Sequence, residues 1–131
     1  MQSDLDIKAM DDDRIIIQRA YRNLLKCIKG TLSQEDQDNI RLAYEMAVKA
    51  HSAQRRKSGE PYILHPIAVA QICVEEIGLG PTAVICALLH DVVEDTDITL
   101  KEIEETFGER IAKIVDGLTK LDSAYNVDVP Q

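Results

Sequence analysis

The sequence predicts an all-α protein, a compact bundle of five to six helices. Apolar residues recur every three or four positions along most of the 131 residues, as they do on one face of a helix. No segment shows the sustained alternation of apolar and polar residues that is typical of a half-buried strand. The chain is long enough for one domain with its own core, and because aromatic residues make up only 4%, that core must consist of Ile, Leu, Val and Ala.

Apolar stripes and end signals mark the first two helices. We expect the first to begin at the acidic run 11–13 and to end at Gly30, since acidic residues favour a helix start and glycine a helix end. Its inward stripe is Ile17, Ala20, Tyr21, Leu24 and Ile28. Ser33 followed by Asp36 resembles a capping box and predicts a second helix that runs to about Ser52. Its inward residues are Ile40, Ala43, Ala47 and Ala50.

A polar loop over residues 54–62 separates the second helix from the third. The third helix opens at His65, because Pro66 suits a first turn, and is expected to end at Gly78. Its stripe is Ile67, Ala70, Val74 and Ile77. Pro81 opens a fourth helix that is apolar on all sides until His90, which predicts that it forms the centre of the bundle.

Two shorter patterns complete the bundle. Thr99 with Glu102 predicts the cap of a fifth helix that ends at Gly108. A sixth helix follows, with the stripe Ile111, Ile114, Val115, Leu118 and Leu121. Residues 123–131 carry no stripe and are expected to form a loop tail.

Charge and hydropathy exclude several classes of function. A net charge of −8 argues against direct binding to a nucleic-acid backbone, which needs a basic surface. No apolar run approaches the roughly 20 residues that cross a bilayer, and the acidic N-terminus lacks the pattern of a signal peptide. The three cysteines form no paired motif, which suits a reducing compartment. We therefore expect a soluble cytoplasmic protein without a membrane partner.

Ionisable side chains crowd the end of the apolar fourth helix. Neighbouring His90 and Asp91 can both reach an ion beside the helix, and Glu94 and Asp95 follow one turn later if the helix continues. Carboxylates this close repel one another, whereas a divalent cation keeps them ionised and keeps the imidazole neutral. The stretch is consistent with a metal site, or with a surface ion pair and a solvated turn that ends the helix.

A second histidine favours the metal site. His65 begins the preceding helix, and a short connection makes two successive helices antiparallel, so the start of one lies beside the end of the next. His65, His90 and Asp91 are therefore the candidate ligands. His51 follows inward-facing alanines, and we expect it to be a hydrogen-bonded core histidine instead.

The polar loop concentrates positive charge in an otherwise acidic chain. Arg55, Arg56 and Lys57 precede Ser58 and the flexible Gly59, a few residues before His65. Such a run is either a solvated surface patch or an anion site, because arginine grips phosphate through two parallel hydrogen bonds and lysine acts as a point charge. Beside a metal, the loop suits a small phosphorylated ligand.

These motifs together resemble the N-terminal hydrolase domain of RelA/SpoT-homologue enzymes, within the HD-domain phosphohydrolases. The blocks that carry the resemblance are RKSGEPYILHP at 56–66, ALLHDVVEDT at 87–96, FG at 107–108 and VDGLTKL at 115–121. The resemblance implies an HD-domain helical bundle, with a leading helix over 1–32, an HD core over 33–122 and the tail over 123–131.

The resemblance also implies a function. Such enzymes remove the 3′-pyrophosphate of the guanine nucleotides ppGpp and pppGpp in stringent-response control. Matching positions assign His65, His90 and Asp91 to a metal, usually Mn²⁺, although Fe²⁺ or Zn²⁺ would suit the same ligand types. Glu94 and Asp95 match the pair that orients and activates water. Arg56 matches the arginine that packs on guanine, and Lys57 and Ser58 match residues that approach phosphate.

One departure from the family pattern concerns the fourth metal ligand, which lies in a later block resembling KLADRLHN. No block of this chain matches it, so we expect the chain to be the front part of a longer protein and to be inactive alone. The long members of the family also carry synthetase and regulatory domains, and the sequence leaves open whether these follow here. Two other hypotheses remain. In the first hypothesis the chain is a non-catalytic regulatory HD module, and in the second it is an HD phosphohydrolase that acts on another nucleotide. The intact HD and ED pairs disfavour the first, and the RKSGEPY loop disfavours the second.

Overall fold

Six helices form the structure, a computed structural model that describes the backbone of residues 4–28 and 32–128 and the side chains of residues 12–28 and 32–120. The helices are α1 (Asp4–Cys27), α2 (Gln34–Ala50), α3 (Leu64–Glu75), α4 (Pro81–Asp95), α5 (Leu100–Phe107) and α6 (Glu109–Asp128). Within the described ranges there is no strand, and the one extended pairing is an isolated bridge between Arg55 and Pro61. The predicted all-α class is confirmed.

Helix α4 is the centre of the bundle, as its continuous apolar sequence predicted. It packs against α2, α3 and α6, while α1 packs on α3 and α5 on α6. Eight of its fifteen residues are buried: Val84, Ile85, Cys86, Ala87, Leu88, Leu89, Asp91 and Val92. Because α4 is enclosed on several sides, the polar residues near its end are held by a rigid element.

The predicted caps are present. The Ser33 hydroxyl accepts a hydrogen bond from the Asp36 amide at 3.0 Å, and the Thr99 hydroxyl accepts one from the Glu102 amide at 3.2 Å. These bonds satisfy amides that the first turn of a helix leaves without partners. Pro81 occupies the first turn of α4, where its missing amide hydrogen costs nothing.

Both outer helices are longer than expected. Helix α1 begins at Asp4, so the acidic run 11–13 lies inside it and does not start it. Helix α6 continues to Asp128, so the expectation of a loop was wrong for 123–128, and residues 129–131 and Gly30 lie outside the described residues. The physical reason is that no Gly or Pro interrupts residues 118–128, and a backbone can stay helical without an apolar stripe.

Among the predicted stripe residues whose side chains the structure describes, three are exposed; the side chain of Leu121 lies outside the described residues. Helix α3 ends at Glu75, before the expected stop, and the chain reverses at Gly78, whose φ of 79° suits glycine. Ile77 therefore no longer follows the helical period and is exposed. Ile114 and Leu118 are also exposed on α6, which buries Ile111, Ala112 and Val115 instead. None of the helices in the described part of the chain is both long and apolar enough to traverse a bilayer.

Candidate metal and nucleotide site

His90 and Asp91 contact one another near the C-terminal end of α4. The Nε2 atom of His90 lies 3.1 Å from Oδ1 of Asp91, and both side chains are largely buried. The other ring nitrogen, Nδ1, lies 2.7 Å from the carbonyl oxygen of Ala87, one turn earlier. A carbonyl oxygen only accepts, so Nδ1 must carry a hydrogen. In a neutral ring, Nε2 then presents a lone pair to the carboxylate.

Two lone-pair atoms 3.1 Å apart need a positive charge to hold them together. A second proton on the imidazole supplies that charge, and so does a divalent cation ligated by both groups. An imidazole nitrogen beside a carboxylate oxygen is a donor set that Mn²⁺, Fe²⁺ and Zn²⁺ accept. The chemistry of the His90–Asp91 pair therefore fits a metal.

Tyr62 binds the other oxygen of Asp91, a contact that the sequence did not predict. Its hydroxyl donates to Oδ2 of Asp91 at 2.9 Å. Burial, together with the hydrogen bond to Asp91 and the charges of Asp91 and Asp95, raises the pKa of Tyr62 well above its usual range. The hydroxyl thus keeps its proton and acts as a donor. The sequence signal that could have indicated this contact was the presence of a tyrosine in the polar loop of a chain with few aromatic residues.

The pKa of Asp91 lies below its usual value. Burial alone would raise this pKa, but a hydrogen bond from the protonated form of His90, the hydrogen bond from Tyr62 and the positive charges of protonated His90 and His65 outweigh burial. Asp91 is therefore held as a carboxylate at neutral pH, which is the form that a metal requires.

Helix α4 continues to Asp95, so Glu94 and Asp95 lie one turn beyond His90 and Asp91. Both side chains are exposed to solvent near the C-terminal end of α4. The Asp95 carboxylate lies close enough to the Tyr62 hydroxyl to contribute to its raised pKa. This acidic pair is accessible to a ligand that approaches from solvent.

His65 lies at the start of α3, which packs against α4. Its ring meets the ring of Tyr62 edge-on with 6.0 Å between centroids, and its charge influences Asp91. Across residues 12–28 and 32–120, however, no three His, Cys, Asp or Glu side chains are arranged as a metal-binding group. The structure thus brings His90 and Asp91 into contact and places His65 near them. The three side chains do not form a complete three-ligand set.

The loop that carries the positive charges folds back on itself. The Gly59 amide donates to the Arg56 carbonyl at 2.8 Å, and the Arg56 amide donates to the Glu60 carbonyl at 2.9 Å. Gly59 has φ of 94°, a conformation that other residues rarely adopt. Arg56, Lys57 and Ser58 are all exposed at the tip of this turn.

Arg56 and Ser58 converge on a single anionic oxygen. Oε1 of Glu60 accepts a hydrogen bond from the Ser58 hydroxyl at 3.1 Å and lies 3.8 Å from Nε of Arg56. The two side chains predicted to meet a nucleotide therefore point at a common carboxylate. Ion pairs this exposed are weak, so an incoming anion can replace Glu60.

Arg55 belongs to a different interaction. Its Nη1 atom bonds Oδ2 of Asp13 on α1 at 2.9 Å, and its Nε donates to the Gly59 carbonyl at 2.7 Å. The hydrogen bond that Arg55 donates to Asp13 raises the pKa of Arg55. Arg55 thus joins α1 to the loop and holds the turn.

His51 is a hydrogen-bonded core histidine, as predicted. It is 2% exposed, its Nδ1 bonds Oε1 of Gln54 at 2.9 Å, and its ring packs against Tyr62 with 4.7 Å between centroids. Gln54 in turn donates from Nε2 to the carbonyl of Asp95 at 3.3 Å. Segment 51–62 therefore contacts the end of α4 twice, at Asp91 through Tyr62 and at Asp95 through Gln54.

The geometry of an HD pair at the end of a central helix agrees with a sequence profile of the HD domain family, which matches residues 43–129. The chain belongs to the HD domain family. The resemblance to RelA/SpoT-homologue enzymes is confirmed by relatives that include a protein named SpoT and a protein named as a 3′-pyrophosphohydrolase. The chain is 52% identical over 84 residues to the guanosine-3′,5′-bis(diphosphate) 3′-pyrophosphohydrolase of Aquifex aeolicus. These 84 residues make up 64% of this HD-domain chain and 12% of the relative.

Two further relatives of this HD-domain chain carry different names. The bifunctional (p)ppGpp synthase/hydrolase SpoT of Escherichia coli is 43% identical over 102 residues, which cover 78% of the chain and 14% of that protein. The probable GTP pyrophosphokinase of Mycobacterium leprae is 49% identical over 83 residues, 63% of the chain and 10% of that protein. The chain thus spans 10–14% of the length of these relatives.

Proposed function

We propose that this HD domain is the hydrolase region of an alarmone-degrading protein, which removes the 3′-pyrophosphate of ppGpp and pppGpp to release GDP or GTP and pyrophosphate. The observation that carries the proposal is the His90–Asp91 contact beside an exposed acidic pair and a basic loop. The similarity to a protein named as a 3′-pyrophosphohydrolase of the same nucleotide supports it.

In this proposal His65, His90 and Asp91 hold a divalent cation, with Mn²⁺ as the expected ion. The chemistry that such an ion supplies is activation of water and neutralisation of charge on phosphoryl oxygens. The ring of His90 is oriented by its bond to the Ala87 carbonyl, and Asp91 is kept ionised. Residues outside this chain would supply the remaining ligand.

Glu94 and Asp95 are the proposed acid–base residues. Both follow the HD pair by one turn on a rigid helix, and both are exposed, so they can face water beside the reacting phosphorus. A carboxylate in this position orients the water and accepts its proton as the new bond to phosphorus forms. The bond from that phosphorus to the ribose 3′ oxygen breaks at the same time, and the 3′ oxygen takes up a proton to leave GDP or GTP with a free 3′ hydroxyl. The fixed spacing on α4 keeps these residues next to the metal ligands.

Arg56, Lys57 and Ser58 are the proposed nucleotide contacts. Arg56 presents a planar guanidinium that can stack on guanine, while Lys57 and Ser58 offer a charge and a hydroxyl to phosphate. The carboxylate of Glu60 marks where Arg56 and Ser58 converge. A phosphate that displaces Glu60 would take over the hydrogen bond from Ser58 and release Arg56 to stack on guanine.

The test is ppGpp hydrolysis by the full-length gene product that contains this chain, with Mn²⁺ present. We expect His90→Ala to abolish release of pyrophosphate and Glu94→Gln to lower kcat by a factor of about 10²–10⁴, the usual contribution of a general acid or base. The matched control is Glu105→Gln, another exposed helical glutamate, which should change nothing. Undiminished turnover in His90→Ala would remove the basis of the proposal.

A further inference from the structure

The Asp91 carboxylate has two oxygens with different partners. Oδ1 lies 3.1 Å from Nε2 of His90, and Oδ2 accepts the Tyr62 hydroxyl at 2.9 Å. A carboxylate that is held at one oxygen cannot rotate freely about its Cβ–Cγ bond. The bond from Tyr62 thus selects which oxygen faces His90.

Tyr62 is itself fixed in place. Its ring contacts the ring of His51, with 4.7 Å between centroids, and the ring of His65, with 6.0 Å between centroids. Its amide donates to the Gln54 carbonyl at 2.9 Å, and its own carbonyl accepts the His65 amide at 2.9 Å. The hydroxyl is therefore delivered to Asp91 by a side chain with little freedom, which is what an orienting group requires.

We propose that Tyr62 is a positioning residue of the metal site: it holds Oδ2 of Asp91 so that Oδ1 is presented to a cation shared with His90. This inference deepens the proposed function and rests on it for the identity of the ligands. In this role Tyr62 acts through its hydrogen bond to Asp91. Partners of this kind typically change metal affinity 10- to 100-fold when they are removed.

The position of Tyr62 in the chain adds a second consequence. It lies four residues after Ser58, on the same short segment that closes through the Arg56–Gly59 turn. A ligand that moves the turn therefore acts on the residue that orients Asp91. If nucleotide and metal binding are coupled through this turn, each changes the affinity for the other by the same factor, since coupling between two sites is reciprocal.

The experiment uses the full-length gene product and the variant Tyr62→Phe, which removes the hydroxyl and keeps the ring. The control is Tyr44→Phe, the same change in a tyrosine that stacks on Tyr21 at 3.9 Å, away from the site. Equilibrium binding of Mn²⁺ alone is followed by electron paramagnetic resonance, and the melting temperature is measured without metal. We expect Tyr62→Phe to weaken Mn²⁺ binding about 10- to 100-fold and Tyr44→Phe to leave it unchanged.

A double-mutant cycle separates orientation from a general structural role. In the Asp91→Asn background, Tyr62→Phe should cause no further loss of Mn²⁺ affinity, because the carboxylate that it orients is gone. Equal losses in both backgrounds would mean that Tyr62 merely stabilises the fold and would overturn the inference. Unchanged Mn²⁺ affinity in Tyr62→Phe, or no Mn²⁺ binding by the unsubstituted protein, would overturn it as well.

Hydrolysis of ppGpp, measured in parallel, distinguishes this inference from the proposed function. Suppose that the unsubstituted protein hydrolyses ppGpp and that Tyr62→Phe binds Mn²⁺ with the same affinity as the unsubstituted protein. This result would support the proposed function and refute the positioning role. Weaker Mn²⁺ binding in Tyr62→Phe without any ppGpp hydrolysis by the unsubstituted protein would support the positioning role and refute the function.

Discussion

Nε2 of His90 and Oδ1 of Asp91 lie 3.1 Å apart although these residues are neighbours in the chain, where helical side chains normally diverge by about 100°. The contact exists because the Ala87 carbonyl holds one edge of the imidazole and Tyr62 holds the far oxygen of the carboxylate. Both groups are thereby turned toward one point. In the proposed metal site, two adjacent residues can serve as a ligand pair only because their surroundings orient them.

The lowered pKa of Asp91 predicts a pH-dependent stability for the metal-free protein. A carboxylate whose folded pKa lies below its unfolded value of about 3.9 stabilises the fold above that pH. This stability is lost as the pH falls through the folded pKa. We expect the free energy of unfolding, measured by urea denaturation with a chelator present, to decrease below about pH 4.

The variant Asp91→Asn identifies the group responsible. It should lower the free energy of unfolding by about 1–3 kcal/mol at pH 7, because it removes a buried charged acceptor, and it should flatten the acid limb of the pH profile. The control Asp97→Asn, an exposed carboxylate beyond α4, should keep that limb. An unchanged acid limb in Asp91→Asn would contradict the prediction.

Two glycines with equally open surroundings should respond in opposite directions to alanine. A Cβ atom would meet no atom within 4 Å at either Gly59 or Gly117. Gly59 has φ of 94°, so alanine there is strained and should destabilise the protein by about 1 kcal/mol. Gly117 lies inside α6, where alanine should stabilise by about 0.5–1 kcal/mol.

Urea denaturation of the two variants measures this difference directly, and each variant serves as the control for the other. Because crowding is absent at both positions, only the backbone conformation separates them. Equal effects of Gly59→Ala and Gly117→Ala would mean that the turn adapts to alanine, and that it does not impose the conformation on residue 59.

The features that the sequence predicted well are those encoded locally. The central position of α4 followed from an apolar run, and the caps at Ser33 and Thr99 followed from residues three positions apart. The outward position of Ile77 was missed because it depends on where the chain leaves α3, and helical spacing does not indicate that point.

In the candidate site, too, the residues that are close in the sequence were predicted, and the contacts between distant residues were not. His90, Asp91, Glu94 and Asp95 stand close in the sequence, so the charge pattern indicated them. The Tyr62–Asp91 bond joins residues 29 positions apart, and Gln54 reaches Asp95 across 41 positions. Such contacts depend on how α3, α4 and the intervening loop pack, and no periodicity in the sequence reports them. The orienting partners were therefore found only in the structure.

The 131-residue chain by itself should bind Mn²⁺ weakly or not at all. The described residues contain no group of three ligand side chains arranged around one point, and the sequence has no counterpart of the family block that supplies the fourth ligand. Fewer ligands give a less favourable binding free energy. Isothermal titration calorimetry with Mn²⁺, with His90→Ala as the control, measures this; tight stoichiometric binding that His90→Ala abolishes would refute the prediction.

Arg55 and Arg56 are adjacent, yet their substitution should have different effects. Arg55 bonds Asp13 and the Gly59 carbonyl, so Arg55→Ala should lower the melting temperature by loosening α1 from the loop. Arg56 forms a long, exposed ion pair with Glu60, at 3.8 Å, so its guanidinium is available to a nucleotide. Arg56→Ala should raise KM for ppGpp about tenfold or more, the typical effect of losing a charge-assisted contact.

Steady-state kinetics and thermal unfolding of the full-length protein measure the two effects separately. Arg56→Lys serves as the conservative control: it keeps the charge but cannot stack or form two parallel bonds, so it should restore KM only in part. Full restoration by lysine would mean that charge alone matters at residue 56. A larger rise in KM for Arg55→Ala than for Arg56→Ala would contradict the prediction. It would mean that Arg55, not Arg56, contacts the nucleotide, on the side of the loop that faces α1.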